Sequence, residues 1–379
     1  MKVIILHSIL PAYRKDFFEK LNSQLKQEGI AMTVMHGTSH FKQINTDTNP
    51  GYSAVPMPTR EFRPFGFRIV WWKGTFRVIN EIKPDMVLIL FSPGNLSFWL
   101  VQLYAYMKGI KVGLWSNGSV RKEITGAKKS VRAFFLNFFL HRAKVHICYG
   151  SRYKKELLEM GMKESEIFVA QNTINVERIL SYCEGKKREP SAESVNFLSV
   201  GVLIRDKNTD MGIKAIARLR REGFNVSYIV IGKGSILEEL RALVREEKME
   251  DHIVLTGYKS DDEIPDYFLN ADVFMMPGTG GLAVNEAMAY GLPILSTVAD
   301  GTIIDLLDEG RNGYYFDDYP DPENIYQVCL KTVKKSKAEL IEMGNQSRMM
   351  IIEKATLQNM VDNFEKAILF ANKIDNNRN

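Results

Sequence analysis

Short apolar runs alternate with amphipathic runs along most of the 379-residue chain. Nearly continuous apolar runs are typical of parallel strands covered on both faces, whereas apolar residues at helical spacing predict helices. The sequence predicts helices at residues 13–29, 209–223 and 235–247, and long helices from about residue 321 onward. It predicts strands at residues 2–7, 85–91, 110–115, 144–149, 195–201, 226–232, 252–257 and 271–277. Strands separated by helices imply right-handed crossovers and parallel sheets.

A polar segment without periodicity, residues 183–195, interrupts this alternation and contains Pro190. Such a segment predicts a connection between domains. We therefore expect an α/β protein with two doubly wound, Rossmann-like parallel-sheet domains and a cleft between them. The N-terminal domain is expected at residues 1–182 and the C-terminal domain at residues 195–355. A final helix at about residues 356–373 is expected to pack back on the N-terminal domain.

Composition narrows the class of protein. Apolar residues make up 45% and charged residues 25% of the chain, which is typical of a globular enzyme. No apolar run approaches the roughly 18 residues of a membrane span, and the apolar start of the chain is too short for a signal peptide. The three cysteines show neither a metal-binding nor a disulfide spacing. These features predict a cytoplasmic protein.

Charge is distributed unevenly along the chain. The first 180 residues contain 26 Lys and Arg against 13 Asp and Glu, and the remaining residues contain 24 against 32. A basic half suggests an anionic partner, such as a nucleic acid, an anionic membrane surface or a diphosphate-bearing substrate. No nucleic-acid recognition motif accompanies the charge, so we expect no nucleic acid partner.

A glycine-rich loop follows the predicted strand at 271–277. Glycines let a backbone approach a ligand closely, and ligands of such sheets bind beyond the carboxyl ends of strands. The expected donor-binding residues of this loop are Gly278, Thr279, Gly280, Gly281 and Leu282. Glu286 follows about one turn later, where it can accept hydrogen bonds from sugar hydroxyls. The segment predicts a nucleotide-sugar site, with the alternative that Glu286 is solvated or caps a turn.

Two further loops also follow predicted strands. Arg205 and Lys207 come after Gly201, where two cations can neutralise a diphosphate and stabilise the charge that grows on it. Gly232 and Gly234 form the third loop. Solvated surface loops are the alternative interpretation of both segments.

Together these loops resemble a known family. Residues 200–208, 230–240 and 254–295 occur in the order seen in the C-terminal half of the two-domain nucleotide-sugar glycosyltransferases of retaining family four. Residues 147–175 resemble the segment that precedes that half. Residues 10–21 resemble the acceptor-side opening of members that build bacterial surface polysaccharides.

The resemblance implies two facing domains of the GT-B type, with the donor bound mainly by the second and the acceptor by the first. It implies that Lys207 and Arg205 stabilise the departing diphosphate and that Glu286 holds the ribose. It further implies that Gly232, Gly234 and Tyr258 contact the donor and that Tyr13 and Arg14 contact the acceptor. A uridine diphosphate sugar is the expected donor, ahead of a guanosine one. We expect neither a cofactor nor a metal.

The sequence departs from the family pattern at three positions. Gly278 stands where the family usually has the first of two glutamates, and Val202 stands where it has an arginine. Asn117 occupies the place of a histidine that often serves in catalysis, and we assign it to the catalytic set. These departures motivate an alternative, a non-catalytic nucleotide-sugar-binding partner of another transferase. A sugar-nucleotide epimerase is a third interpretation.

Two stretches of the basic half combine cations with aromatic residues. Residues 60–78 interleave five cations with six aromatic residues, and residues 128–144 enclose an apolar run between basic ends. Such surfaces suit the headgroup region of anionic membranes, so we expect peripheral association with the inner face of the plasma membrane. Trp71, Trp72 or Phe76 would then reach the interface. The alternative is that the aromatic residues pack in the core and the cations are solvated.

Overall fold

The computed structural model describes residues 1–38, 50–63, 69–91, 95–116, 131–186, 193–298 and 301–376. The chain forms two compact units. Unit 1 comprises Met1–Asn172 and Gln358–Asn379, and unit 2 comprises Thr173–Leu357. Each unit is built on a parallel sheet with helical crossovers, so the predicted α/β fold class is confirmed.

Unit 1 contains a seven-stranded parallel sheet in the order β3-β2-β1-β6-β7-β8-β9. Its strands are β1 (Lys2–His7), β2 (Ala31–Gly37), β3 (Ser53–Met57), β6 (Met86–Leu90), β7 (Lys111–Ser116), β8 (Val145–Cys148) and β9 (Ile167–Val169). The strands β4 (Thr59–Phe62) and β5 (Ile69–Trp72) form a separate antiparallel pair. The helices of unit 1 are Lys15–Gln27, Thr75–Ile82, Leu96–Met107, Val131–Arg142, Ser151–Glu159 and, except for its first residue, Leu357–Asn376.

The last helix completes the core of unit 1, although it follows unit 2 in the sequence. Phe364 is fully buried, and its ring centroid lies 4.8 Å from those of both Phe17 and Trp115. Gln24 Nε2 donates hydrogen bonds to Asp362 Oδ1 at 2.9 Å and Glu365 Oε2 at 2.6 Å. Aromatic burial of this kind makes the helix an integral part of unit 1.

Unit 2 contains a six-stranded parallel sheet in the order β12-β11-β10-β13-β14-β15. Its strands are β10 (Val195–Val200), β11 (Val226–Ile231), β12 (Ile253–Gly257), β13 (Val273–Met276), β14 (Ile294–Ser296) and β15 (Gly313–Tyr315). Its helices are Val176–Cys183, Thr209–Arg221, Leu237–Glu246, Ile264–Asn270, Ala283–Ala289, Pro322–Val333 and Lys337–Lys354.

Both faces of the unit 2 sheet are covered, as the continuous apolar strands predict. Neighbouring residues of β10 and β13 point to opposite faces. Phe197 and Met275 pack in one cluster with helix Thr209–Arg221, whereas Leu198 and Phe274 pack in a second cluster with helix Ala283–Ala289. This doubly wound arrangement leaves the carboxyl ends of the strands for the loops that carry polar residues.

The units divide at residues 172–173, earlier than the 182–195 boundary derived from the sequence. Val176 and Cys183 of helix Val176–Cys183 are buried in the same cluster as Phe274, so this helix belongs to unit 2. The polar segment that suggested the boundary follows this helix. Within the described ranges, no helix combines the length and apolar character needed to cross a bilayer.

Candidate functional site

Three loops of unit 2 lie side by side at the carboxyl edge of its sheet. The backbone N–H of Gly201, after β10, donates to the carbonyl oxygen of Ile231 at the end of β11, with an N–O distance of 3.0 Å. The N–H of Leu203 donates to Lys233 O at 3.0 Å. Parallel strands end at the same edge, so the loops after β10, β11 and β13 meet there.

Gly232 and Gly234 are required by loop packing. A Cβ atom on Gly232 would lie 1.8 Å from the carbonyl oxygen of Gly201, and one on Gly234 would lie 2.0 Å from Leu203 O. Gly232 also has φ of +155°, in the region that favours glycine. Both glycines were predicted to bind the donor, and the structure shows that each permits one loop to contact its neighbour.

Lys207 joins the loop after β10 to the loop after β13. Its Nζ donates hydrogen bonds to the carbonyl oxygens of Thr279 at 2.5 Å and Gly280 at 2.9 Å. The backbone N–H of Thr279 donates in return to Asp206 O at 2.8 Å. The ammonium charge is therefore held against the glycine-rich loop, because the backbone of that loop supplies its acceptors.

Gly278 lies where no side chain fits. A Cβ atom there would be 2.2 Å from Asp206 O and 2.6 Å from Lys207 Cα. On the other side, Thr297 Oγ1 donates to the carbonyl oxygen of Gly278 at 2.7 Å. Thr297 was missed by the sequence analysis. Its position just after β14, the neighbour of β13, is the signal that could have indicated it.

Glu286 carries a half-buried carboxyl group on helix Ala283–Ala289. Burial raises its pKa from 4.5 to about 7, and the nearby negative charge of Asp261 adds to that shift. Among the described residues, no side chain or backbone group donates a hydrogen bond to this carboxyl group. A partly desolvated carboxylate without donors is poised to accept hydrogen bonds from a ligand.

Arg205 and Tyr258 are exposed at the margin of the three loops. Arg205 Nη2 pairs with Glu239 Oε2 at 2.8 Å, so its guanidinium is directed at helix Leu237–Glu246. The ring of Tyr258 follows β12, and Lys233 Nζ lies 4.9 Å from its centroid. The three loops and Glu286 thus combine backbone groups, one anchored ammonium group, one exposed aromatic ring and one carboxyl group.

Most of unit 2 matches a known protein family. Residues 184–356 match the family model described as glycosyl transferases group 1. Unit 2 therefore carries a glycosyl transferases group 1 domain. The match covers less than half of the chain and supports the prediction of a glycosyltransferase enzyme.

Related proteins extend the comparison. The amylovoran biosynthesis glycosyltransferase AmsK of Erwinia amylovora is 28% identical over 171 residues, which are 43% of this chain and 41% of AmsK. The chain spans less than half the length of the curated relatives that it matches first. The apo structure of the lipopolysaccharide outer core galactosyltransferase WaaB is 15% identical, with a TM-score of 0.69 over 97% of this chain and 99% of WaaB. Anabaena HepE, solved with UDP and glucose, is 12% identical, with a TM-score of 0.68 over 97% and 99%.

Outside the group 1 domain, the two residues predicted to bind an acceptor differ sharply in exposure. Tyr13 is 52% exposed, whereas Arg14 is 1% exposed. Arg14 donates to Tyr149 Oη at 2.8 Å and to Asn172 Oδ1, and its Nη1 lies 3.4 Å from Met360 Sδ. Arg14 therefore ties three segments of unit 1 together. Asn117, predicted to be catalytic, lies outside the described residues.

The predicted membrane stretch at residues 60–78 is partly a core element. Trp72 is fully buried, its ring centroid lies 5.0 Å from that of Phe98, and its backbone N–H donates to Ser97 Oγ at 2.7 Å. Of the three aromatic residues considered for the membrane interface, Trp72 is excluded, because its side chain fills the interior of unit 1. Phe76 contacts Tyr104 at a centroid distance of 5.1 Å. Residues 64–68 lie outside the described residues.

The described residues contain no cluster of metal-ligand side chains. In the part of the chain that the structure describes, no group of three or more His, Cys, Asp or Glu side chains is arranged to hold a metal ion. The three cysteines are buried thiols. Burial raises the pKa of the Cys148 and Cys329 thiols above the ordinary value, so neither is activated as a nucleophile.

Proposed function

We propose that this chain is a retaining glycosyltransferase that moves a sugar from a nucleoside diphosphate sugar to a glycan or lipid-linked glycan in polysaccharide biosynthesis. The observation that carries the proposal is the carboxyl group of Glu286. It lies half-buried and without a donor among the described residues, one turn after a loop that Lys207 anchors. The group 1 domain match and the AmsK relative support the reaction class.

Each group has a defined task in the proposed reaction. Glu286 accepts hydrogen bonds from the ribose hydroxyls, and the backbone of residues 278–281 positions the diphosphate and the donor sugar. The acceptor oxygen forms a bond to the anomeric carbon on the face from which the diphosphate leaves. The bond from that carbon to the phosphate oxygen breaks, and the hydroxyl proton passes to the leaving diphosphate. Lys207 stabilises the charge that grows there.

The proposed donor carries uridine, ahead of guanosine, and the proposed reaction uses no resident cofactor or metal. The solved complex of HepE with UDP and glucose supports a uridine nucleotide. Tyr258 offers an exposed ring beside the loops, which suits contact with the donor. The basic first half of the chain supports a further proposal, reversible association with the inner face of the plasma membrane near a lipid-linked acceptor.

A panel of UDP, GDP and TDP sugars tests the proposed activity. A true donor is expected to raise the melting temperature of unit 2 and to release free sugar slowly when no acceptor is present. Mixing that donor with a lipid-linked glycan extract should then yield a product one sugar longer. Failure of every nucleotide sugar to bind or to be hydrolysed would contradict the proposal.

Two observations favour a second candidate, a nucleotide-sugar-binding partner without turnover. Arg205 is paired with Glu239, and the backbone around Lys207 fills the space that a side chain at Gly278 would need. Donor hydrolysis separates the candidates, because a non-catalytic partner binds the donor tightly and releases no sugar.

Replacing Gly278 by alanine is expected to weaken donor binding about five- to a hundredfold. The new Cβ would lie 2.2 Å from Asp206 O, so the loop must move away from the Lys207 segment. Overpacking of this kind costs about 1–3 kcal/mol. Isothermal calorimetry with the donor measures the change.

Gly281→Ala is the matched control, because among the described residues its Cβ meets only Lys207 Nζ, at 3.8 Å. It is expected to change donor affinity by less than about threefold, which is below 1 kcal/mol. Equal losses in both variants would show that glycine flexibility, rather than the contact with Asp206 and Lys207, determines binding.

Glu286→Ala is expected to weaken donor binding about ten- to a hundredfold and to leave the fold intact. A lost charge-assisted hydrogen bond costs about 1.5–3 kcal/mol. Calorimetry of well-folded protein gives the affinity, and Glu250→Ala, at an exposed position of the same unit, is the control.

The pH dependence of donor affinity gives a second test of the role of Glu286. Its pKa of about 7 means that the ionised acceptor is lost as the pH falls through 7, so wild-type donor affinity should decrease below that pH. Glu286→Ala should not show this decrease. A wild-type affinity that is flat from pH 6 to about 8 would exclude the ribose assignment.

A further inference from the structure

Unit 1 has a cavity of about 330 Å³ between helices Leu96–Met107 and Val131–Arg142. It lies where β7 begins at Lys111, at the amino edge of the sheet. Arg14 contacts Tyr149, which follows the carboxyl end of β8, so the predicted acceptor residues belong to the opposite edge. The cavity is therefore separate from the site described for the transferase reaction.

The described residues that line this cavity include three cations and no carboxylate. The cations are Lys111, Arg142 and Lys144, and three aromatic residues, Tyr106, Phe138 and Phe139, line the cavity with them. The guanidinium carbon of Arg142 lies 4.5 Å from the ring centroid of Tyr106 and 4.9 Å from that of Phe138. These stacked contacts orient the guanidinium at the cavity. A fixed guanidinium beside a second cation is suited to a phosphate group.

Gln102 adds a buried polar group to the same cavity. It is 2% exposed, and its Nε2 donates to the carbonyl oxygen of Phe98 at 3.3 Å. Its Oε1 is buried and accepts no hydrogen bond from the described residues. A buried acceptor without a donor lowers stability until a ligand supplies one, so this position favours a ligand that carries a hydroxyl group.

The same two helices expose large apolar side chains to solvent. Leu103, Tyr106 and Met107 of the first helix are 43%, 49% and 66% exposed, and Phe134 of the second is 68% exposed. Leu103 and Met107 are four residues apart, so they share one face of their helix. Exposed apolar side chains beside cations are typical of surfaces that lie in the headgroup region of a bilayer. This combination favours a lipid over a free phosphate compound.

We propose that this cavity binds the headgroup of an anionic glycerophospholipid that carries a free hydroxyl, such as phosphatidylglycerol. Arg142 and Lys144 contact the phosphate, Gln102 Oε1 accepts from the headgroup hydroxyl, and Met107 and Phe134 enter the bilayer surface. The inference rests on the proposed membrane association and names its lipid site.

Vesicle co-sedimentation of the full chain tests the proposal. Wild-type protein is expected to pellet with vesicles of phosphatidylcholine containing phosphatidylglycerol and to stay in the supernatant with phosphatidylcholine alone. Arg142→Gln with Lys144→Gln should lower the partition coefficient about thirtyfold, because each cation near an anionic surface contributes about five- to sixfold. The matched control replaces Lys26 and Lys155, two exposed lysines on other helices of unit 1, by glutamine. It should lower binding by less than about threefold.

Gln102→Met tests headgroup recognition, because methionine has a similar shape and no acceptor of comparable strength. Wild-type protein should prefer phosphatidylglycerol over phosphatidic acid about fivefold at matched surface charge, and Gln102→Met should lose that preference.

Equal losses in the cavity and control double variants would show a general charge effect and overturn the site. Binding of soluble glycerol phosphate without vesicle binding would also overturn it. Wild-type protein that hydrolyses donor but never pellets would contradict only this inference and the membrane proposal.

Discussion

Turnover of the Lys207→Ala variant is expected to fall about hundred- to thousandfold, with a smaller change in the Michaelis constant. Lys207 Nζ is held beside the glycine-rich loop by the carbonyl oxygens of Thr279 and Gly280. The proposed leaving group gains negative charge while its bond to the sugar breaks. An ammonium group fixed next to it stabilises the transition state more than the ground state, and removal of one such group costs about 10²–10³ in rate.

Steady-state kinetics with a saturating acceptor measures this effect. Lys214→Ala is the control, because Lys214 is an exposed lysine on helix Thr209–Arg221 of the same unit. Lys207→Arg keeps the charge but not the geometry, and it should recover only part of the rate. An unchanged turnover with a raised Michaelis constant would show that Lys207 contributes to binding alone.

Phe364→Ala is expected to destabilise unit 1 by about 3–5 kcal/mol, the usual range for a buried phenylalanine. Phe364 is fully buried against Phe17 and Trp115, and Arg14 contacts Met360 one turn earlier on the same helix. Loss of the ring leaves a cavity between the last helix and the sheet. The same variant should leave the thermal unfolding of unit 2 unchanged.

Tryptophan fluorescence gives a specific readout of this change. All four tryptophans of the chain, Trp71, Trp72, Trp99 and Trp115, lie in unit 1. Urea titration followed by fluorescence should therefore show the loss of stability. Phe370→Ala, at a half-buried position on the same helix, should cost clearly less. Equal costs for the two variants would contradict the assigned role of Phe364.

The sequence predicted most of the strands because the covered sheets need long apolar runs. All eight predicted strands are present, and β2 and β3 are among the strands that were missed. β2 contains Thr33 and His36, and β3 is an edge strand with Pro56, so neither is a continuous apolar run. Their place in the sheet is set by pairing with β1 and with each other, which a local pattern does not contain.

The sequence predicted which residues belong to the candidate site better than it predicted the contacts that they make. Spacing after each strand indicated the loops of Lys207, Gly234 and Gly278. Spacing did not show that these glycines are needed because another loop's backbone lies within about 2 Å of a Cβ atom. Nor did it show that Arg14 is buried, because the residues that surround it, Tyr149 and Met360, are distant in the sequence.

The position of the last helix has a consequence for synthesis of the protein. Unit 2 comprises residues 173–357, so about 185 residues are translated between the two parts of unit 1. At about 5–20 residues per second, the ribosome needs roughly 10–40 s for that interval. Throughout it, the surface of Phe17 and Trp115 that Phe364 later covers remains exposed on the nascent chain. Unit 2 can fold as soon as its own residues have emerged, so the N-terminal unit of this protein is the last to be completed.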